Sequence, residues 1–256
     1  MKRNWILAAL ATAVLGAGAS AAPVPSYVKA AISDPARPEA DTKRDADRKP
    51  AEMLSFIGVK PGMRVMDLMP GGGYFTRLFA KTVGPKGYVY AYEPSEMAKF
   101  STDKGKPVPI VAVAAQYPNA SAIIAPIAKL AAPESLDVVW TSQNYHDLHD
   151  PFMGPADVAA VNKAIYAALK PGGLYIVLDH SAENGSGLRD TDTLHRIDEA
   201  TVKEEVLAAG FEPAGMSHVL RNKADTRTLK VFDKEIRGHT DQFILKFRKP
   251  LHAKAK

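Results

Sequence analysis

Four groups of residues in this chain have the types and spacing to do chemistry. The first is Val65-Met66-Asp67-Leu68-Met69-Pro70-Gly71-Gly72-Gly73-Tyr74-Phe75, an apolar run that ends in an acid and a glycine-rich turn. Glycines let a backbone approach a ligand closely, and a helix opening behind them offers unpaired N–H groups. The second is Glu93, twenty positions after Gly73, where α/β nucleotide-binding folds place the acid that accepts hydrogen bonds from ribose hydroxyls. The G-x-G-x-x-G turn of nicotinamide enzymes is absent, because Tyr74-Phe75-Thr76 follow the third glycine.

The third group is Asn144-Tyr145-His146-Asp147, within the polar run that follows Asp137–Thr141. Histidine as a residue type titrates near neutrality, which makes His146 the candidate general base for an acceptor hydroxyl or amine. The competing account is a histidine merely hydrogen-bonded in a loop, since many transfers need only proximity and alignment. Tyr145 either packs on a ligand or belongs to the core. The fourth group is Asp179-His180-Ser181-Ala182-Glu183, followed by Arg189, Asp190 and His195. With His146 and Asp147 these could ligate a divalent ion, but the spacing matches no closed metal motif. A polar substrate pocket is the simpler account, so no metal is assigned.

These groups must be held by an alternation of strands and helices. Strands are expected over Arg64–Met69, Tyr88–Tyr92, a Pro-interrupted stretch at Ser121–Ile127, Leu136–Thr141 and Leu174–Asp179. Helices are expected after Pro50 and over Tyr74–Thr82, Glu96–Lys99, Ala156–Leu169 and Ala200–Ala209. Short apolar strands separated by helices imply a buried, mostly parallel sheet. Met216–Leu220 and Phe243–Phe247 lack a crossover helix between them and suggest an antiparallel hairpin at the sheet edge.

At 256 residues one domain is the expectation. Met1-Lys2-Arg3, an apolar stretch from Trp5 to Gly18 and Ala19-Ser20-Ala21-Ala22 read as a signal peptide over 1–21, cleaved after Ala21 or Ala22. The apolar stretch is shorter than the roughly 20 residues that cross a bilayer, so no stable membrane insertion is expected. Removing Lys2 and Arg3 leaves 31 basic residues against 28 acidic ones, a net charge of +3, too mild to imply nucleic acid. With zero Cys, neither disulfides nor thiolate chemistry is available. Residues 22–49 read as an extended, charged lead-in, 50–250 as the folded domain and 251–256 as a basic tail.

Asp67 with Gly71-Gly72-Gly73, Glu93 and Lys170-Pro171-Gly172-Gly173 resemble the class I S-adenosylmethionine-dependent methyltransferases. The resemblance covers roughly Pro50 to Pro250 and implies a Rossmann-like α/β fold: a mostly parallel seven-stranded sheet with a C-terminal antiparallel hairpin. It implies S-adenosyl-L-methionine as cofactor, with Asp67 near its methionine ammonium and Gly71, Gly72, Gly73, Glu93 and Asn144 around it. Met69 stands where the family usually has its first glycine. The implied activity is methyl transfer to a small-molecule acceptor beside Tyr145 and His146, in the periplasm or outside the cell. The alternative is a non-catalytic exported binding protein that retains the fold.

Overall fold

The computed structural model describes residues 23–154 and 156–252. The expected signal peptide and the last four residues of the basic tail lie outside them. Seven strands form one sheet: β1 Arg64–Leu68, β2 Tyr88–Pro94, β3 Ala120–Ala125, β4 Leu136–Ser142, β5 Leu169–His180, β6 Glu212–Ser217 and β7 Gln242–Arg248. Their order is β3-β2-β1-β4-β5-β7-β6. The first five pair in parallel, and β7 runs antiparallel to both β5 and β6.

Both sheet faces are covered, which is why the strands read as continuous apolar runs rather than alternating ones. Val65, Val138, Trp140 and Ile176 face one cluster, with helices Ser26–Ile32, Pro50–Ile57 and Tyr74–Val83 packed over it. Met66, Val139, Tyr175 and Val177 face the other, beneath Val158–Ala168 and Glu199–Ala208. Trp140 is fully buried and meets the Phe75 ring edge-on at 4.7 Å, locking the helix after β1 onto the sheet. Asp157 caps the Val158–Ala168 helix through the Ala160 N–H at 2.9 Å.

The strands differ from expectation mainly at the C-terminal end. The sixth strand lies at Glu212–Ser217 rather than Met216–Leu220, but it pairs antiparallel with β7 at the sheet edge as expected, with β7 beside β5. Pro213 and Gly215 obscure the strand pattern there, and the register shifts between them. The lead-in at 22–49 is not extended: it holds short helices at Ser26–Ile32, Glu39–Thr42 and Asp45–Arg48. Val28 and Ala31 are buried against the core, and Asp41 and Asp45 take ion pairs from Arg77 at 3.0 Å and Arg37 at 2.6 Å. No helix among the described residues is long and apolar enough to cross a membrane.

Candidate active site

The strand order reverses between β1 and β4, and open α/β sheets bind ligands in the crevice at such a point, beyond the strands' carboxyl ends. A cavity of about 520 Å³ lies there. Its walls come from the turn after β1 (Asp67, Met69, Gly71, Gly72), the segment after β4 (Gln143, Asn144, His146, Asp147), His180 at the end of β5, and His195.

At the β1 end, Asp67 is fully buried and accepts a 2.6 Å hydrogen bond from the Thr76 hydroxyl. Burial pushes its carboxyl up to about 7, although Thr76 and the Arg48 charge pull it down. A Cβ added at Gly71 or Gly72 would meet nothing within 4 Å, so the turn leaves open space toward the cavity. Gly73 has a different role: at φ +77° its added Cβ would stand 2.7 Å from Val113 Cγ1, so close packing demands glycine there. Glu93 sits behind the turn, its carboxyl raised to about 7 by burial against the pull of the Gly71 N–H. Its Oε2 is buried with no hydrogen-bond partner among the described residues. Asn144 lines the cavity and donates to the Met69 carbonyl at 2.9 Å, tying the β4 segment to the β1 turn.

At the other end, Asp179 is a buried anchor. Its Oδ1 meets His146 Nδ1 at 2.9 Å and accepts from the His180 N–H at 2.7 Å, while Oδ2 accepts from the His146 N–H at 2.8 Å. Burial opposes charge on both partners, but the pairing wins: Asp179 is held below the usual carboxylate range and His146 is raised to about 9. Burial pushes Asp147 up to about 7 despite the His146 charge. Burial lowers His180 to about 3, and its Nδ1 lies 2.7 Å from the Thr240 hydroxyl. Burial, and then the charge on His146, lowers His195 to about 4.

Of the residues singled out in the sequence, Asp67, Gly71, Gly72, Asn144 and His146 line one cavity. Tyr145 does not: its hydroxyl donates to Glu205 at 2.8 Å and accepts from Asn162 at 2.8 Å, which ties it into the core. Gly73 and Glu93 stand behind the lining. Sequence reasoning missed the cavity's lid. Asp41, Arg44 and Arg48 line it from the amino-terminal segment, where Arg48 stacks over Tyr74 at 4.8 Å and donates to Gln143 at 3.1 Å. The Arg44 and Arg48 spacing within the charged run is helical, a sign of a helix that points at no particular ligand.

Three cavity residues, Met69 (φ 58°), Gln143 (φ 64°) and His195 (φ 54°), hold left-handed backbone without being glycine. Such strain clusters at functional sites because surrounding structure must enforce it. At Met69 the enforcement is visible, since its N–H bonds the Tyr92 carbonyl at 2.8 Å. The residue that replaces the family's usual glycine therefore keeps a glycine's conformation.

A parallel sheet with one antiparallel strand and a glycine turn at its switch point defines a Rossmann-like α/β protein of the class I methyltransferase fold. Residues 66–177 match the family model described as a methyltransferase domain. Among solved structures, a SAM-dependent methyltransferase from Aquifex aeolicus is similar, with 18% identity and a TM-score of 0.55 over 83% of this chain and 98% of that one. One from Mesorhizobium loti has 16% identity and a TM-score of 0.54, covering 80% and 99%. The [4+2]-cyclase SpnF has 19% identity and a TM-score of 0.56, covering 83% and 82%. No curated protein matches the chain by sequence.

Proposed function

We propose that this protein is an exported S-adenosylmethionine-dependent methyltransferase acting on a small molecule. The observation that carries the reading is a single cavity joining the Asp67 and Gly71-Gly72 turn to His146 and Asp147. The donor side fits the cofactor. Glu93 keeps a buried oxygen without a partner, Gly71 and Gly72 leave room for close approach, and Asp67 presents a carboxylate suited to an ammonium. When bound, the cofactor supplies an electrophilic methyl group on a sulfonium.

The chain's own residues do the rest. Asp67, Gly71 and Gly72 hold the donor, with Glu93 behind the turn and Asn144 bracing it. Arg48 and Arg44 line the cavity from the amino-terminal segment, where they narrow the space in which the reacting groups align. His146 and Asp147 form the proton-handling end. Asp179 keeps His146 charged at neutral pH, so Asp147, near 7, is the member of the pair able to take the acceptor's proton there. Export is supported by the basic, apolar and small-residue order of residues 1–22.

A screen for S-adenosylhomocysteine production over phenols, amines and thiols tests the reading. With an acceptor in hand, Asp147→Asn is expected to lower kcat by roughly 10²- to 10⁴-fold while leaving cofactor affinity near that of the parent. Unchanged turnover from pH 6 to 9 in this variant would remove the proton-accepting role and leave alignment as the explanation.

A further inference from the structure

His146, Asp147, Asp150 and His195 come from two segments 45 positions apart, counted from Asp150 to His195, yet one donor atom from each lies within 4.8 Å of all the others. His146 Nε2 stands 3.2 Å from His195 Nδ1 and 3.3 Å from Asp147 Oδ1, and His195 Nδ1 stands 3.9 Å from that same oxygen. Donors bound about 2.1 Å from one ion stand roughly 3.0 to 4.2 Å apart, from tetrahedral and octahedral geometry. The three separations fall inside that window.

Two further observations point to a ligand. Asp150 is 1% exposed, and neither of its carboxylate oxygens has a hydrogen-bond partner among the described residues. The nearby Thr191 hydroxyl, which also reaches the Leu188 carbonyl at 3.3 Å, offsets that burial only in part, and the carboxyl stays raised. A buried carboxylate without a partner is costly unless something of opposite charge meets it. The second observation is Asp179, which takes His146 Nδ1 and so turns Nε2 toward the cluster. A carboxylate on the far nitrogen is how a metal-ligating histidine is usually oriented.

We propose that His146, Asp147, Asp150 and His195 form a binding site for one divalent transition-metal ion of the type represented by Zn²⁺ and Mn²⁺. Two imidazoles exclude Mg²⁺ and Ca²⁺ as preferred occupants, since those ions take oxygen ligands. His146, Asp147 and His195 also line the cavity, so the ion faces the space where the acceptor must stand. If the proposed methyl transfer is correct, on which this use of the site rests, ion binding displaces the proton from His146 and takes Asp147 as a ligand, so that the ion, in place of Asp147 as base, lowers the pKa of a coordinated acceptor hydroxyl or thiol, whose proton leaves to water. Ion binding itself does not depend on that reaction.

The test is calorimetric titration of the untagged, chelator-treated protein with ZnCl₂, MnCl₂ and MgCl₂, with metal content measured by mass spectrometry. Zn²⁺ or Mn²⁺ is expected to bind at one ion per chain with micromolar affinity or tighter, and Mg²⁺ far more weakly. Asp150→Asn and His195→Ala should each weaken binding by at least about 100-fold, and Asp179→Asn by about 10- to 100-fold. His149→Gln, a neighbour paired with Glu205 at 3.3 Å, should bind like the parent. Melting curves check the fold. Should Asp150→Asn not fold, His195→Ala decides, because its side chain is partly exposed. No uptake near one ion per chain, or uptake unchanged in folded His195→Ala, overturns the site. S-adenosylhomocysteine binding by the metal-free protein, measured separately, shows whether the cofactor reading stands independently.

Discussion

Asp67 concentrates the conflict between stability and function in one side chain. Its carboxyl is raised to about 7 by burial, so charging it costs the folded state more than the unfolded chain. For a group raised in this way, the favourable contribution is complete below the unfolded value near 3.8 and is lost as pH rises through about 7. Asp67→Asn removes that loss, and the Thr76 hydroxyl can still donate to an amide oxygen. The variant should melt like the parent near pH 4 and above it at pH 8, by an amount up to roughly 4 kcal/mol. It should also bind the cofactor more weakly, since a neutral amide replaces the partner of an ammonium. A melting-temperature difference that is flat across pH 4 to 8 would show that Asp67 is not held in a desolvated state.

At the scale of elements, the turn between β1 and the Tyr74–Val83 helix separates two kinds of glycine. Gly73→Ala places a Cβ 2.7 Å from Val113 at a left-handed φ of +77°, and should cost about 2 to 4 kcal/mol, read as a lower melting temperature. Gly72→Ala meets nothing within 4 Å and should melt like the parent while weakening S-adenosylhomocysteine binding. This turn was legible from sequence because an apolar run, an acid and three glycines are all local signals. The lid was not: Lys43-Arg44-Asp45-Ala46-Asp47-Arg48-Lys49 has no apolar period, and its placement rests on Asp41 and Asp45 reaching Arg77 and Arg37. Tyr145 was equally hidden, because its hydrogen bonds to Asn162 and Glu205 come from distant helices. His195 was noticed only as a ligand type, since nothing local shows that it will return to His146.

For the whole molecule, the sheet order, the covered faces and the switch-point cavity agree with the fold the glycine turn and its acids resemble. The similarity to a [4+2]-cyclase as well as to methyltransferases is a likeness of fold, so activity has to be argued from this chain's own cavity. The proposed export adds a question of supply, because the donor is made inside the cell. N-terminal sequencing of protein recovered from the periplasm or medium is expected to begin at Ala22 or Pro23. An intact Met1 terminus in the membrane fraction would instead mark an anchored protein.

The central claim is that the cavity at the β1 turn is a cofactor site, and calorimetric titration with S-adenosylhomocysteine tests it most directly. The parent is expected to bind one molecule per chain, with affinity reduced in Asp67→Asn and in Glu93→Gln, both still folded. Absence of binding by the folded parent, or equal binding by parent and both variants, would contradict the account.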